Sequence, residues 1–144
     1  MAFREKTAWI MSIALLLGGL FYWGAVLAAS QELGASMPPL IPIIVIYVGI
    51  LVLIAIIGHI GAVLTSLNTA NAPMDEREAQ IVVRATSLSD YIMGVGILIS
   101  LGLYLLNYDG NQLFHLVIGT LMLAQFAQYA VQIMLFRRQS AIAE

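Results

Sequence analysis

The chain contains no cysteine, and charged residues make up only 10% of its 144 positions. The absence of cysteine excludes disulfides, thiolate metal sites and lipidation at cysteine. Soluble domains average about 25% charged residues, so the low charge content excludes an ordinary soluble domain. The net charge of −2, without a basic stripe, gives no support for nucleic-acid binding. The chain is instead apolar: 61% of its residues are hydrophobic, and its mean hydropathy is +0.95.

Long apolar runs occupy most of the chain. A hydrocarbon core of roughly 30 Å needs about 20 apolar residues per helix, so four spans leave no room for a separate soluble domain. The first run is longer than a typical signal-peptide core and carries aromatic residues near its far end, so we interpret it as a span. The whole chain, 1–144, is predicted to be one integral membrane domain. Its spans are predicted at about 7–28, 40–65, 85–106 and 112–136.

The positive charges indicate the orientation of these spans. They lie in three short clusters at the start, middle and end of the chain, separated by the apolar runs. Because Lys and Arg are enriched in cytoplasmic loops, we predict that both termini and the central loop are cytoplasmic. The expected fold class is all-α, a four-helix transmembrane bundle with N-in/C-in topology. The clusters are Arg4 with Lys6, Arg77 with Arg84, and Arg137 with Arg138.

The segment before the third span has the features of a helix start. Asn71 is a good capping residue, Pro73 is tolerated in a first turn, and the carboxylates within 75–78 suit the positive end of the helix dipole. We expect one continuous helix from about Pro73 to Leu106, roughly 50 Å long, which extends into the cytoplasm. A tight turn is then predicted at 107–111, around the Asp-Gly pair.

Three ionisable side chains fall within the predicted spans, where they are costly and therefore candidates for function. His59 and Asp90 each lie about six residues, or roughly 9 Å, to the cytoplasmic side of their span centres. Small residues such as Gly58 share the face of His59, and Ser87 shares that of Asp90, so we predict that these two faces touch. His115 lies near the outer end of span four, roughly 20 Å away, and is interpreted as an interfacial polar residue.

Other polar residues lie at the depth of His59 and Asp90: Gln128 and Gln132 in span four, and Ser12 in span one. Together the five are predicted to form a polar cluster in the cytoplasmic half of the bundle. One interpretation is structural, because interhelical polar contacts of about 0.6 kcal/mol fix which helix faces which. The other is a cytoplasm-facing cavity that binds a small ligand or passes a proton, with Asp90 as the carrier.

No catalytic signature is present, and we expect neither enzyme activity nor a bound metal or cofactor. A bis-histidine haem needs two ligands at one depth, whereas His59 and His115 lie at opposite ends; two His59 residues of a homodimer would be the exception. A metal site made from His59, Asp90 and glutamines would be an unusual ligand set.

The densest charge cluster is Asp75-Glu76-Arg77-Glu78. Its carboxylates are explained by the helix dipole, by pairing with the basic chain ends, or by docking of a cytoplasmic protein partner, to which Arg84 would also contribute. The run from Met74 to Glu78, followed by Ile81 and Arg84-Ala85, resembles the D-E-R-D/E loop of small bacterial and archaeal four-helix membrane proteins, a family of unknown function. That resemblance covers the inner loop, the third span and the overall layout. It implies this architecture and carries over no catalytic or binding residue.

Two functions follow as hypotheses for a protein of the bacterial cytoplasmic (inner) membrane. The first is a non-enzymatic accessory, regulatory or structural subunit that acts through helix–helix and cytoplasmic-loop contacts. The alternative is a small transporter or ligand-binding bundle that uses the polar cluster. Beyond the lipid bilayer, the expected partners are further copies of the chain or the other subunits of a larger membrane complex.

Overall fold

The computed structural model describes residues 3–66 and 73–143, with side chains described up to residue 138. These ranges form four α-helices and contain no strand. Each helix is long and apolar enough to cross a membrane, which confirms the predicted all-helical class with four candidate spans. The helices are α1 (Phe3–Leu33), α2 (Ile41–Leu64), α3 (Glu76–Asn107) and α4 (Gly110–Ala143).

The helix ends follow from local sequence. α1 ends at Leu33 because Gly34 adopts a left-handed φ of +64°, a conformation that glycine reaches without strain. α3 begins at Glu76, later than predicted from Pro73, and Asp75 takes the N-cap position. The expected cap, Asn71, lies outside the described residues.

The helices pack in the order α2–α1–α4–α3. α1 packs against α2 and α4, and α4 packs against α3, whereas α2 and α3 share no comparable interface. Burial agrees with this order. Within an 18-residue apolar stretch of each helix, 33% of the residues are buried in α1, against 6% in α2 and 11% in α3. The predicted contact between the faces of spans two and three is therefore corrected, because α1 and α4 come between them in the packing order.

A glycine lies at the contact between each packed pair of helices. Because glycine has no side chain, the two backbones approach more closely than a Cβ would permit, which is a common basis of helix association in membranes. Several faces carry small residues, so periodicity alone does not decide which face pairs with which. The contacts are Gly18 of α1 with Tyr47 of α2, Gly119 of α4 with Trp23 of α1, and Gly96 of α3 with Thr120 of α4.

Side-chain contacts join the helix ends at the start of α1. Arg4 Nε donates a hydrogen bond to Glu78 Oε2 of α3 at 2.9 Å. Lys6 Nζ donates to Ser66 Oγ, just after α2, at 2.7 Å. We call this end of the bundle the basic end (residues 3–9, 62–66, 73–84 and 134–138) and the opposite end the turn end (residues 30–44 and 104–115).

Candidate functional site

The polar cluster predicted from the sequence is not assembled in the protomer. His59 lies on α2 and directs Nδ1 to the carbonyl oxygen of Ala55 in its own helix, at 2.7 Å. Asp90 lies on α3 with its side chain exposed, and among the described residues it has no hydrogen-bond or ion-pair partner. The two residues belong to the two edge helices of the packing order, so they do not form the predicted pair within one chain.

The remaining members of that cluster have separate roles. Gln128 Nε2 donates to Thr86 Oγ1 at 3.1 Å and so joins α4 to α3. Gln132 is buried on α4. Ser12 is buried on α1, with 6% of its surface exposed. Of these three residues, only Ser12 lines a cavity between α1 and α4.

That cavity, which we call the α1–α4 groove, has a volume of about 380 Å³. Its walls are apolar, apart from the polar groups of Trp9 and Ser12 on α1 and the guanidinium of Arg137 on α4. Neither Trp9 Nε1 nor Ser12 Oγ has a hydrogen-bond partner among the described residues, although both atoms are buried. Buried polar atoms are normally paired, so two unpaired ones in one cavity make it a candidate ligand site. The main lining residues are Trp9, Ser12, Leu16, Phe126, Ile133 and Arg137.

Arg137 supplies the positive charge of the groove. Its guanidinium carbon lies 5.3 Å from the centroid of the Trp9 ring, within the range of a cation–π contact. Its Nε lies 3.8 Å from a carboxylate oxygen of Glu5, a long ion pair. The Arg137 side chain is 65% exposed, whereas that of Glu5 is 9% exposed. The cation is therefore the more accessible member of the pair.

A second site, at the turn end, was missed by the sequence analysis. His115, five positions after the start of α4, is buried, with 5% of its surface exposed. Its Nδ1 lies 2.7 Å from the hydroxyl of Tyr22, and its Nε2 lies 2.7 Å from the carbonyl oxygen of Met37. A carbonyl only accepts, so the tautomer with its proton on Nε2 satisfies both contacts. No local signal reveals this arrangement, because the partners are 93 and 78 positions away.

Further hydrogen bonds hold the loop between α1 and α2 against the start of α4. The N–H of Met37 donates to Ser30 Oγ at 3.0 Å, and Asn111 Nδ2 donates to the carbonyl oxygen of Ser36 at 3.4 Å. Met37 of the loop and Tyr22 of α1 are each only 1% exposed and belong to the buried apolar cluster. We call this arrangement of paired polar groups the turn-end clamp. With its partners already satisfied, it is suited to holding the loop.

Asp109 completes the clamp from the turn between α3 and α4. Its Oδ1 accepts the N–H groups of Asn111 at 2.9 Å and Gln112 at 3.0 Å, which caps α4. A hydrogen bond from Ser36, followed by these backbone N–H groups, lowers the pKa of the Asp109 carboxyl below its ordinary value of 3.8. Capping also explains why Gly110, predicted within the turn, already belongs to α4.

The acidic segment at the start of α3 is divided between internal and outward contacts. Glu78 is engaged by Arg4. The other predicted contact residues remain exposed: Asp75, Glu76, Arg77 and Arg84. Within the described ranges, no group of three or more histidine, aspartate or glutamate side chains is placed to hold a metal ion.

No protein-family model, curated protein or solved structure matches this chain. The geometry of its own residues therefore carries the functional argument.

Proposed function

We propose that this protein is a non-enzymatic subunit of a membrane assembly, acting through an exposed face of α3 and through the acidic start of that helix. In this proposal the chain lies in the bacterial cytoplasmic membrane with both termini inside. The carrying observation is the composition of the exposed α3 face, which we call the Asp90 face. It contains Ser87, Asp90, Gly94, Leu98 and Gly102.

Small residues on the Asp90 face leave room for another helix. A Cβ added at Gly94 or Gly102 would meet nothing within 4 Å, so both glycines lie on open surface. At Gly96 of the same helix, by contrast, an added Cβ would collide with Thr120 of α4. Small residues permit close helix–helix approach in a membrane, and the open glycines therefore support docking of a partner helix.

Asp90 supplies a reason for that docking. At 1.5 Å per residue, it lies about 25 Å from the turn end of α3, which is inside a hydrocarbon core of roughly 30 Å if α3 is near-perpendicular to the membrane. An acidic group at this depth is costly, and within membranes such groups are usually paired. A partner helix carrying a hydrogen-bond donor or a cation would satisfy Asp90 and remove this cost.

The start of α3 offers a second contact on the same helix. α3 contains 32 residues, so it is about 48 Å long and exceeds the hydrocarbon core by roughly 18 Å. In the proposed topology this excess projects into the cytoplasm and presents Asp75, Glu76, Arg77 and Arg84 to a protein partner. The resemblance of this segment to the D-E-R-D/E loop is consistent with such a layout.

The test is purification from native membranes in a mild detergent, followed by mass spectrometry of co-purifying proteins. We expect a stoichiometric protein partner with the wild-type chain and its loss with Gly94→Leu. Gly49→Leu, at an equally open glycine of α2, is the matched control and should keep the partner. Both substitutions place a side chain on open surface, so neither should disturb the protomer.

Retention of the partner by Gly94→Leu would contradict the role of the Asp90 face. Charge reversal at Asp75, Glu76 and Arg77 tests the helix start separately and should also weaken the complex. A protein that purifies alone with a retained small molecule would instead favour the transporter or ligand-binding alternative. The predicted pairing of His59 with Asp90 does not support that alternative, because the two residues lie on the two edge helices.

A further inference from the structure

We propose that the α1–α4 groove binds one anionic phospholipid, with its phosphate at Arg137, an ester carbonyl at Trp9 and Ser12, and one acyl chain along the apolar walls. This inference is independent of the Asp90 face, which lies on α3. It assigns a ligand to a part of the molecule that the proposed function leaves unused.

The unpaired groups of α1 define the polar part of the ligand. Trp9 Nε1 is only a donor, and Ser12 Oγ can donate or accept, so an ester carbonyl oxygen is an acceptor that suits both. Trp9 and Ser12 are three positions apart, which places them on the same face of a helix. One bound carbonyl group, or the two esters of one lipid, can therefore reach both.

The charge at the groove favours an anionic headgroup. Arg137 presents a guanidinium suited to phosphate, and the next residue of α4, Arg138, is also exposed. Glu5 carries an opposing charge, with a carboxylate oxygen 3.8 Å from Arg137 Nε, and its side chain is only 9% exposed. Because the Arg137 side chain is 65% exposed and that of Glu5 only 9%, the guanidinium is the charged group that a phosphate can reach.

The apolar part of the groove continues along α1. Leu16 and Phe126 line both the α1–α4 groove and a second cavity of about 450 Å³, which extends to Trp23 and Leu27. From Ser12 to Leu27 the helix rises by about 22 Å, more than the roughly 15 Å of one leaflet's hydrocarbon. An acyl chain therefore fits lengthwise, starting at Trp9 and Ser12, which donate to the ester carbonyl.

The groove also opens where a bilayer lipid would enter. Ile13 and Leu16 on α1, and Met134 on α4, are exposed apolar residues that line it. In a membrane these side chains face hydrocarbon. A phospholipid can then occupy the groove by lateral diffusion while its phosphate stays at headgroup level, beside Arg137 at the basic end.

Native mass spectrometry of the detergent-purified full chain tests the proposal. We expect one added phosphatidylglycerol per chain to bind in a saturable way, with phosphatidylcholine several-fold weaker and inorganic phosphate without effect. Arg137→Gln should weaken phosphatidylglycerol binding about tenfold, as expected for loss of a charge-assisted contact. Arg138→Gln, which removes the same charge next to the groove, is the control and should have a smaller effect.

Ser12→Ala separates ligand binding from folding. It removes a buried hydroxyl that has no partner in the part of the chain that the structure describes, so the lipid-free variant should unfold at the same temperature as the wild type or higher. Its affinity for phosphatidylglycerol should still fall several-fold. Ser100→Ala, which removes a buried hydroxyl bonded to the Gly96 carbonyl oxygen within α3, should leave lipid binding unchanged.

Three outcomes would overturn the proposal: no saturable binding of phosphatidylglycerol, equal losses in Arg137→Gln and Arg138→Gln, or unchanged affinity in Ser12→Ala. None of these outcomes would contradict the proposal for the Asp90 face, because that proposal is tested by whether a protein partner co-purifies. Loss of the partner in Gly94→Leu with lipid binding intact would in turn leave the groove assignment standing.

Discussion

The hydroxyl of Tyr22 lies 2.7 Å from Nδ1 of His115, a buried hydrogen bond between residues 93 positions apart in the chain. Through this bond α1 holds the imidazole in place, and the imidazole in turn holds the carbonyl of Met37. Three parts of the chain thereby meet at one ring: α1, α4 and the loop between α1 and α2. The loop is consequently fixed by tertiary contacts at the turn end.

Removal of the Tyr22 hydroxyl should destabilise the fold without changing its shape. Tyr22→Phe leaves Nδ1 of a buried histidine without its donor, and we expect the free energy of unfolding to fall by about 1–3 kcal/mol. Equilibrium unfolding in mixed micelles, followed by circular dichroism, measures the change. Tyr108→Phe, at an exposed tyrosine of the turn end, is the control. Equal stability of the two variants would contradict the clamp.

Asp109 should make stability depend on acid pH. Its pKa is lower in the folded state than its ordinary value of 3.8, so the folded state favours the ionised form. The stabilisation is therefore present above pH 3.8 and is lost as the pH falls through the lower folded pKa. Thermal unfolding between neutral pH and about pH 3 should show a shallower decline in Asp109→Asn than in the wild type. Glu32→Gln, at an exposed carboxylate near the end of α1, should retain the wild-type profile.

The close approach of α1 and α2 should make two neighbouring glycines respond in opposite ways to alanine. A Cβ at Gly58 would collide with Ile10, whereas a Cβ at Gly61 would meet nothing within 4 Å. We expect Gly58→Ala to cost about 1–3 kcal/mol through overpacking. Gly61→Ala should be neutral or stabilising by up to about 1 kcal/mol, because alanine is the better helix former. Chemical unfolding of both variants tests this, and equal responses would refute the packing of α1 against α2.

The ion pair between Arg4 and Glu78 should contribute modestly, because both side chains are partly exposed, at 32% and 26%. A double-mutant cycle with Arg4→Gln and Glu78→Gln should give a coupling energy of about 0.2–1 kcal/mol. High salt should reduce it. A cycle that pairs Arg4→Gln with Glu76→Gln is the comparison, since no bond joins Arg4 to the exposed Glu76 among the described contacts. Similar coupling in both cycles would show that the pair has no specific role.

The sequence alone determined the four helices and most of their ends, because hydropathy, capping and glycine or proline effects act over neighbouring residues. The run of α2, the position of Pro42 in its first turn and the break at 108–109 all follow from such local terms. Even the small discrepancy at the start of α3 is local, since it depends on whether Asp75 or an earlier residue caps the helix.

Only the tertiary structure decided which helices touch, and the candidate sites changed with that decision. Several helix faces carry small residues, so the sequence permitted α2 to pack on α3, whereas the observed order separates His59 from Asp90. The packing of α1 against α4 likewise places His115 against Tyr22 and forms the groove beside Ser12. These relationships join residues far apart in the chain, and their energy depends on shape complementarity between whole helix faces, which no local pattern of residues specifies.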